Sequence, residues 1–400
     1  MHKVELGNPE DYKKVDKILW RAFEIENKFD EDKREPGDWW SKEGFSRSYI
    51  IKDRDSIVAN LTVELYPATI RGSEIIIAGI GAVATEPTHR RNKMINSLFE
   101  TAFQTMKDNG EIFSMLDPFK IEYYRKFGYA NAETIIQYRF APSNIITLKI
   151  PNSIIIREAV KGDEQILMDL QRSSIQIGSR LYQTEDSIAK RIKSLNCYIV
   201  EEKNKPAGWF KLYFNRDKTE IEWNDQKLTM IVSLSLFYDN YNVLNGIFDF
   251  LSKFEDQVDE IRMNCPSEVP VQNYVINRHK LDIDMMGSMM VRVIDFKKYI
   301  ESIQIPKSAT DSVVLTLEDK HCTWNSGTYV LVPSNGKINL REEVLEPDIV
   351  VNEQQFSRIA GGLNSITTLH LLGIIDCSLE VAQKLEAIFP KDAVMSYQRF

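Results

Sequence analysis

Short apolar runs alternate with helically spaced apolar positions through residues 1–145. An apolar run at 4–6 leads into Asn8-Pro9-Glu10-Asp11, which reads as a helix start: a capping amide, a proline for the first turn and two acids for the positive helix end. Val15, Ile18, Leu19 and Ala22 then recur at helical spacing. Strands are predicted at 48–52, 56–67 and 74–84. Ile95, Leu98, Phe99, Ala102 and Met106 mark one face of a helix ending near Asn109-Gly110. A strand at 112–116, a short helix at 120–126 and a strand at 132–140 complete an α/β block.

The pattern breaks around 142–151 and starts again over 146–285. A strand at 154–157 precedes a helix carrying Ile166, Leu167 and Leu170. Strands at 196–201 and 207–214 flank the turn Lys203-Asn204-Lys205-Pro206. An apolar strand at 230–237 leads into a helix with Val243, Ile247, Phe250 and Leu251. The order of elements repeats that of the first block and predicts an internal duplication. The last block, 286–400, opens with a strand at 289–293 and a helix at Phe296, Tyr299 and Ile300. A strand meander at 312–317, 328–332 and 337–340 turns at Asn325-Ser326-Gly327 and Ser334-Asn335-Gly336, and helices follow at 351–363 and 378–389.

The length, 400 residues, agrees with two or three domains at roughly 150 residues each. A composition that is 43% hydrophobic and 27% charged supplies more than one core. Fifty Lys and Arg against 58 Asp and Glu give a net charge of -8, which argues against nucleic acid and favours a cationic partner. No run of 18 apolar residues predicts a membrane span, and the N-terminus lacks the apolar core of a signal peptide. The four cysteines are scattered without CxxC spacing, as expected of reduced thiols in a cytoplasmic protein. The five histidines are dispersed, so no metal site is predicted.

One segment carries chemistry. Residues 75–103 run from an apolar strand through Thr85-Glu86-Pro87 and Arg90-Arg91 into a helix. Unpaired N–H groups and the positive dipole at such a turn suit a pyrophosphate, and paired arginines add charge-assisted hydrogen bonds. Taken alone, Arg90 and Arg91 also read as a solvated helix start. The stretch VATEPTHRRNKM, followed by a strand and YYRKFGY, resembles the acyl-CoA-binding core of GCN5-related N-acetyltransferases. The whole chain resembles the Eis-type (enhanced intracellular survival) acetyltransferases. That resemblance implies an α/β (α+β) fold of two tandem acetyltransferase-like units, 1–145 and 146–285, then a sterol-carrier-protein-like module over 286–400.

The resemblance implies roles for matching positions. Backbone groups of Ala82, Val83 and Ala84 would pair with the pantetheine arm of acetyl-CoA, the co-substrate. Arg90 and Arg91, with the N–H groups of Asn92, Lys93, Met94 and Ile95, would hold the pyrophosphate. The family places glycine where Lys93 stands and a small residue where Ile95 stands, so loop geometry differs here. Tyr124 matches the family's general acid, although Tyr123, Tyr124, Phe127 and Tyr129 each also read as core aromatics. The Phe400 carboxylate would serve as general base. The family further implies a hexamer and small cationic acceptors such as aminoglycosides. Glu24, Glu26, Trp39 and Trp40 sit in the connection that faces the acceptor, where carboxylates and aromatic rings favour a polycation. The second unit has Asp239 and no paired arginines at the corresponding turn, so one CoA per chain is expected. Two other readings stay open: a lipid- or acyl-CoA-binding regulator without turnover, and an acetyltransferase of protein lysines.

Overall fold

The computed structural model describes residues 2–23, 46–174, 178–216, 228–286 and 289–397. These fall into two compact units. One comprises the chain up to Glu133, Ser179–Leu181 and the chain from Met289 onward; the other comprises Thr134–Gly178 and the chain from Tyr182 to the end of that middle stretch.

The first unit begins with β1 (Glu5–Leu6), α1 (Tyr12–Phe23), β2 (Ser46–Asp53), β3 (Ser56–Ile70) and β4 (Ser73–Thr85). The first turn before α1 is a 3₁₀ turn over Pro9–Asp11, and Asp11 accepts from the Asn8 N–H rather than Asn8 capping the helix. β3 and β4 form a long hairpin whose turn places Arg71 and Gly72 at φ 43° and 73°. Next come α2 (Met94–Asp108), β5 (Phe113–Leu116), α3 (Ile121–Arg125) and β6 (Ala130–Asn131). Ile95, Leu98, Phe99, Ala102, Phe103 and Met106 are buried along one face of α2, at the spacing read from the sequence. They pack against Leu61, Val63, Ala78 and Ile80 of the hairpin. Each large apolar side chain so buried contributes about 1.5–3 kcal/mol.

The second unit holds β7 (Ile135–Phe140), β8 (Ile154–Glu158) and α4 (Glu164–Ser173). After β9 (Ser179–Leu181), which belongs to the first unit, it continues with α5 (Glu185–Lys193), β10 (Cys197–Glu202), β11 (Lys205–Arg216), β12 (Leu228–Tyr238), α6 (Tyr241–Ser252), β13 (Glu260–Pro266) and β14 (Asp282–Met285). Among the described residues its strands lie in the order β14-β7-β13-β12-β11-β10-β8. β12 and β13 are parallel and joined through α6, as β4 and β5 are through α2. Burial of Val243, Leu244, Ile247, Phe248 and Leu251 fixes α6 on its sheet.

The last stretch returns to the first unit with β15 (Met290–Val293), α7 (Phe296–Ser302), β16 (Val313–Glu318), β17 (Gly327–Ser334), β18 (Lys337–Glu342), β19 (Ile349–Asn352), α8 (Glu353–Gly361), α9 (Ile366–Leu371), α10 (Leu379–Ile388) and β20 (Val394–Ser396). Four strands form a second sheet, β18-β17-β16-β19. The helix predicted over 351–363 is shorter, because Ile349–Asn352 is a strand parallel to β16 and Asn352 caps α8 in a capping box with Gln355.

The larger sheet departs from the sequence reading in two places. Its main path is β1-β2-β3-β4-β5-β15-β6, so the strand read as the start of the last block lies between β5 and β6. The strand expected at 132–140 is split: Ala130–Asn131 ends the first sheet, and Ile135–Phe140 pairs with β13 and β14. Neither exchange changes the local apolar pattern, which is why periodicity misses it. Arg292 of β15 is fully buried, with Nη2 donating to Asp319 Oδ1 at 2.7 Å and its guanidinium 4.9 Å from the Phe103 ring. The glycine of YYRKFGY, Gly128, has φ +81°, and a Cβ there would stand 1.6 Å from Arg292 Nη1.

Candidate functional site

The site starts from a bulge in β4. Its register with β3 pairs Asn60 with Ala84 and Thr62 with Gly81, so Ala82 and Val83 oppose the single residue Leu61. Ala82 takes the strained φ of 51° that this requires. Asn60 is fully buried, and its Nδ2 donates to the Ala82 carbonyl at 2.9 Å. Ser48 donates to Asn60 Oδ1, and Thr62 completes the buried triad. The parallel ladder between β4 and β5 covers Ile77 to Ile80 against Phe113 to Leu116 and goes no further. From Gly81 to Thr85 the β5-side edge of β4 therefore has no strand partner among the described residues.

Beyond the bulge, Pro87–His89 makes a 3₁₀ turn, and Arg91 and Lys93 both lie in the left-handed region, at φ 69° and 59°. Alternation of hand in successive residues turns backbone N–H groups toward one concavity, an anion-binding arrangement. Lys93 is the N-cap of α2 and gives it no side-chain cap. The N–H groups of Met94 and Ile95 lie at the helix start, where no helical carbonyl precedes them. Glu86 is held away from the turn's cations by Arg21, whose Nη1 reaches both carboxylate oxygens at 2.7 Å. Arg90, Arg91 and Lys93 are exposed, and among the described residues none of them pairs with a carboxylate.

These parts line a cleft of about 680 Å³. One wall is Val83–Thr85 and 89–96; the other is Phe119, Tyr123 and Lys126, with Ala22 and Phe23 of α1 at the rim. Lys126 Nζ lies 3.8 Å from the Tyr123 ring centre, and burial lowers its pKa. A strand edge without a partner, a nest of N–H groups at a helix start and unpaired cations fit the pantetheine amides and phosphates of CoA.

Of the residues expected to hold the cofactor, Val83, Ala84, Arg90, Arg91, Asn92, Lys93, Met94 and Ile95 all line this cleft. Ala82 is the bulge residue behind it. Met94 and Ile95 turn their side chains into the core, leaving only their N–H groups for a ligand. Tyr124 is buried, its ring against Phe99, Phe119 and Tyr123. Burial pushes its phenol well above the ordinary tyrosine range. Tyr123, not Tyr124, lines the cleft. Glu24, Glu26, Trp39, Trp40 and Phe400 lie outside the described residues. Asn60, Phe119 and Lys126 were not anticipated; for Asn60 the signal was an amide at the centre of an apolar strand, where asparagine is disfavoured.

The corresponding helix start of the second unit is occupied by its own chain. The Asn240 side chain accepts from the N–H groups of Asn242 and Val243 at 2.9 and 3.2 Å. Asp239 beside it accepts from Ser173.

Residues 3–132 match the family model for the acetyltransferase (GNAT) domain, and residues 296–397 that for the sterol carrier protein domain. No curated protein matches the chain in sequence. Among solved structures, a probable N-acyltransferase from Enterococcus faecalis is similar over 100% of both chains, at 15% identity and a TM-score of 0.86. A GCN5-related N-acetyltransferase from Anabaena variabilis matches over 100% of both, at 17% identity and a TM-score of 0.84. Eis1 from Mycobacterium abscessus does so at 16% identity and a TM-score of 0.79. At such identities the likeness is one of fold. The chain thus carries a GNAT acetyltransferase domain in its N-terminal part and a sterol carrier protein domain at its C-terminal end, within a mixed α/β fold.

Proposed function

We propose that the protein is an acetyl-CoA-dependent N-acetyltransferase acting on amines of a small polycationic acceptor, of the kind that aminoglycosides and polyamines represent. The observation that carries this reading is the cleft itself: an unpaired strand edge beyond the Ala82 bulge, continuous with the cationic turn at the start of α2. In a GNAT domain acetyl-CoA is the co-substrate and supplies an activated acetyl group as a thioester.

The chain's own residues divide the work. Val83 and Ala84 bind the pantetheine amides through the backbone. Arg90, Arg91 and Lys93, with the N–H groups up to Ile95, hold the phosphates. Tyr124 stays protonated at neutral pH because burial disfavours the phenolate; the same burial makes it a weaker acid, so passing its proton to the leaving thiolate requires direct contact with the sulfur. Lining the cleft favours Tyr123 for the same task, and phenylalanine substitutions separate the two. The acceptor's proton needs a base, which the family resemblance assigns to the Phe400 carboxylate. In support, β20 runs antiparallel to β3, one strand removed through β9, and so heads from the level of Thr69 toward that of Glu64. The closed helix start at Asn240 in the second unit favours one CoA per chain.

Mass spectrometry of reactions with an aminoglycoside, spermidine and a lysine-rich peptide tests the reading. An N-acetylated small polycation is expected. Acetylation of the peptide alone would move the acceptor to protein lysine, and no acetylated product with CoA bound would leave a regulator.

A further inference from the structure

Glu64 stands at the middle of β3 and is not part of the cofactor cleft. Its carboxylate accepts a hydrogen bond from the Tyr66 phenol. Both side chains project from the sheet face opposite α2: Leu65 between them packs into the cluster around α2, and Tyr66 into that of Phe113 and Met115. The cross-strand partner of Glu64 is Gly79, and that of Thr62 is Gly81. On this face β4 therefore sets no side chain beside the carboxylate. The pairing of β2 with β3 stops at Glu64 and that of β9 starts at Ala68, so the edge between them has no strand partner among the described residues. Gly79 is one residue short of Ile80, the last β4 residue in register with β5, so Glu64 lies level with the end of that ladder, four residues before Val83, the first β4 residue to line the cleft.

Glu64 is half-buried, and among the described residues no Lys or Arg pairs with its carboxylate. We infer that Glu64 is the acceptor-specificity residue: its carboxylate receives an ammonium group of the acceptor other than the amine being acetylated, and so selects polyamines over monoamines. This rests on the acetyltransferase reading above.

The test compares wild type with Glu64→Gln and Glu64→Asp on spermidine and on hexylamine. Glutamine still accepts from Tyr66, so an unchanged melting temperature is expected. For Glu64→Gln the KM for spermidine should rise roughly tenfold or more, the usual scale for losing one partner of a desolvated charge pair. Its kcat, its KM for acetyl-CoA and its hexylamine kinetics should stay as in wild type, and aspartate should restore part of the loss. A fall in kcat at constant KM would make Glu64 a base and overturn the inference, as would equal losses on both amines. Calorimetric binding of spermidine is the second measurement: equal affinity of wild type and Glu64→Gln overturns the inference whether or not the enzyme turns over. Weaker binding by the variant without turnover in wild type would keep Glu64 as an ammonium-binding carboxylate and sink the acetyltransferase reading on which its acceptor role rests.

Discussion

The side-chain amide of Asn60 donates to the carbonyl of Ala82, 22 residues further on, at 2.9 Å. That single bond holds the bulge at which β4 leaves its ladder with β5. The edge that the cofactor arm would use begins there.

Replacing Asn60 with leucine keeps the branched shape, with somewhat more bulk, and removes both the donor and the acceptor. The Ala82 carbonyl and the hydroxyls of Ser48 and Thr62 then lose their shared partner, at a cost of about 1–3 kcal/mol. The expected result is a lowered melting temperature and, separately, an acetyl-CoA KM raised several-fold while acceptor KM stays unchanged. Calorimetry and steady-state kinetics check the two effects.

Lys93 holds a left-handed conformation that costs a non-glycine residue roughly 1–2 kcal/mol. Lys93→Gly should therefore raise stability by up to that amount. The same change removes one of three cations at the turn, so CoA affinity should fall, and more at low salt than at high salt. Thermal unfolding and CoA titrations at two ionic strengths measure both. A variant that binds CoA as tightly as wild type at low salt would take Lys93 out of the phosphate site.

Tyr124→Phe should lower kcat by about 100-fold, within the range for losing a general acid, without weakening CoA binding. Tyr123→Phe should leave kcat near wild type. Burial raises the pKa of the Tyr124 phenol, so the acid form persists above the ordinary tyrosine value. The sign follows: kcat should rise with pH as the acceptor amine deprotonates and show no fall near pH 10. A loss of rate centred there would mean an exposed, ordinary phenol.

Three of the four cysteines are buried, and burial pushes Cys197 up to about 12 and Cys322 up to about 11, leaving both as neutral thiols at pH 8. Cys377 is half-exposed. Iodoacetamide at pH 8 should label Cys377 first and the other three only on unfolding. Peptide mapping of the alkylated protein reads this directly.

Much of the site was legible because it is local. The apolar strand, the arginine turn and the helix face of Ile95, Leu98, Phe99, Ala102 and Met106 follow within one stretch: the end of the strand and the turn line the cleft, and the helix face packs into the core behind it. What escaped was non-local. Nothing in the period of 290–293 says that this strand enters the sheet between β5 and β6, or that Ile135–Phe140 pairs elsewhere. Asn60 acts through a carbonyl 22 positions away, across a bulge that shifts the register by one residue, and Glu64 stands opposite Gly79, 15 positions away. Lys126 closes the cleft from a turn that reads as a surface charge. Gly128 is motif-like in sequence, and its reason is spatial: the Arg292 guanidinium occupies the room a side chain would need.

The central claim is transfer of acetyl from a thioester bound at the cationic turn. Release of free thiol from acetyl-CoA in the presence of spermidine, followed for wild type and for Arg90→Ala/Arg91→Ala, tests it most directly. Amine-dependent release by wild type, with the acetyl-CoA KM of the double variant raised at least tenfold, is the predicted result. Release that is independent of the amine, or unaltered by losing both arginines, would contradict it.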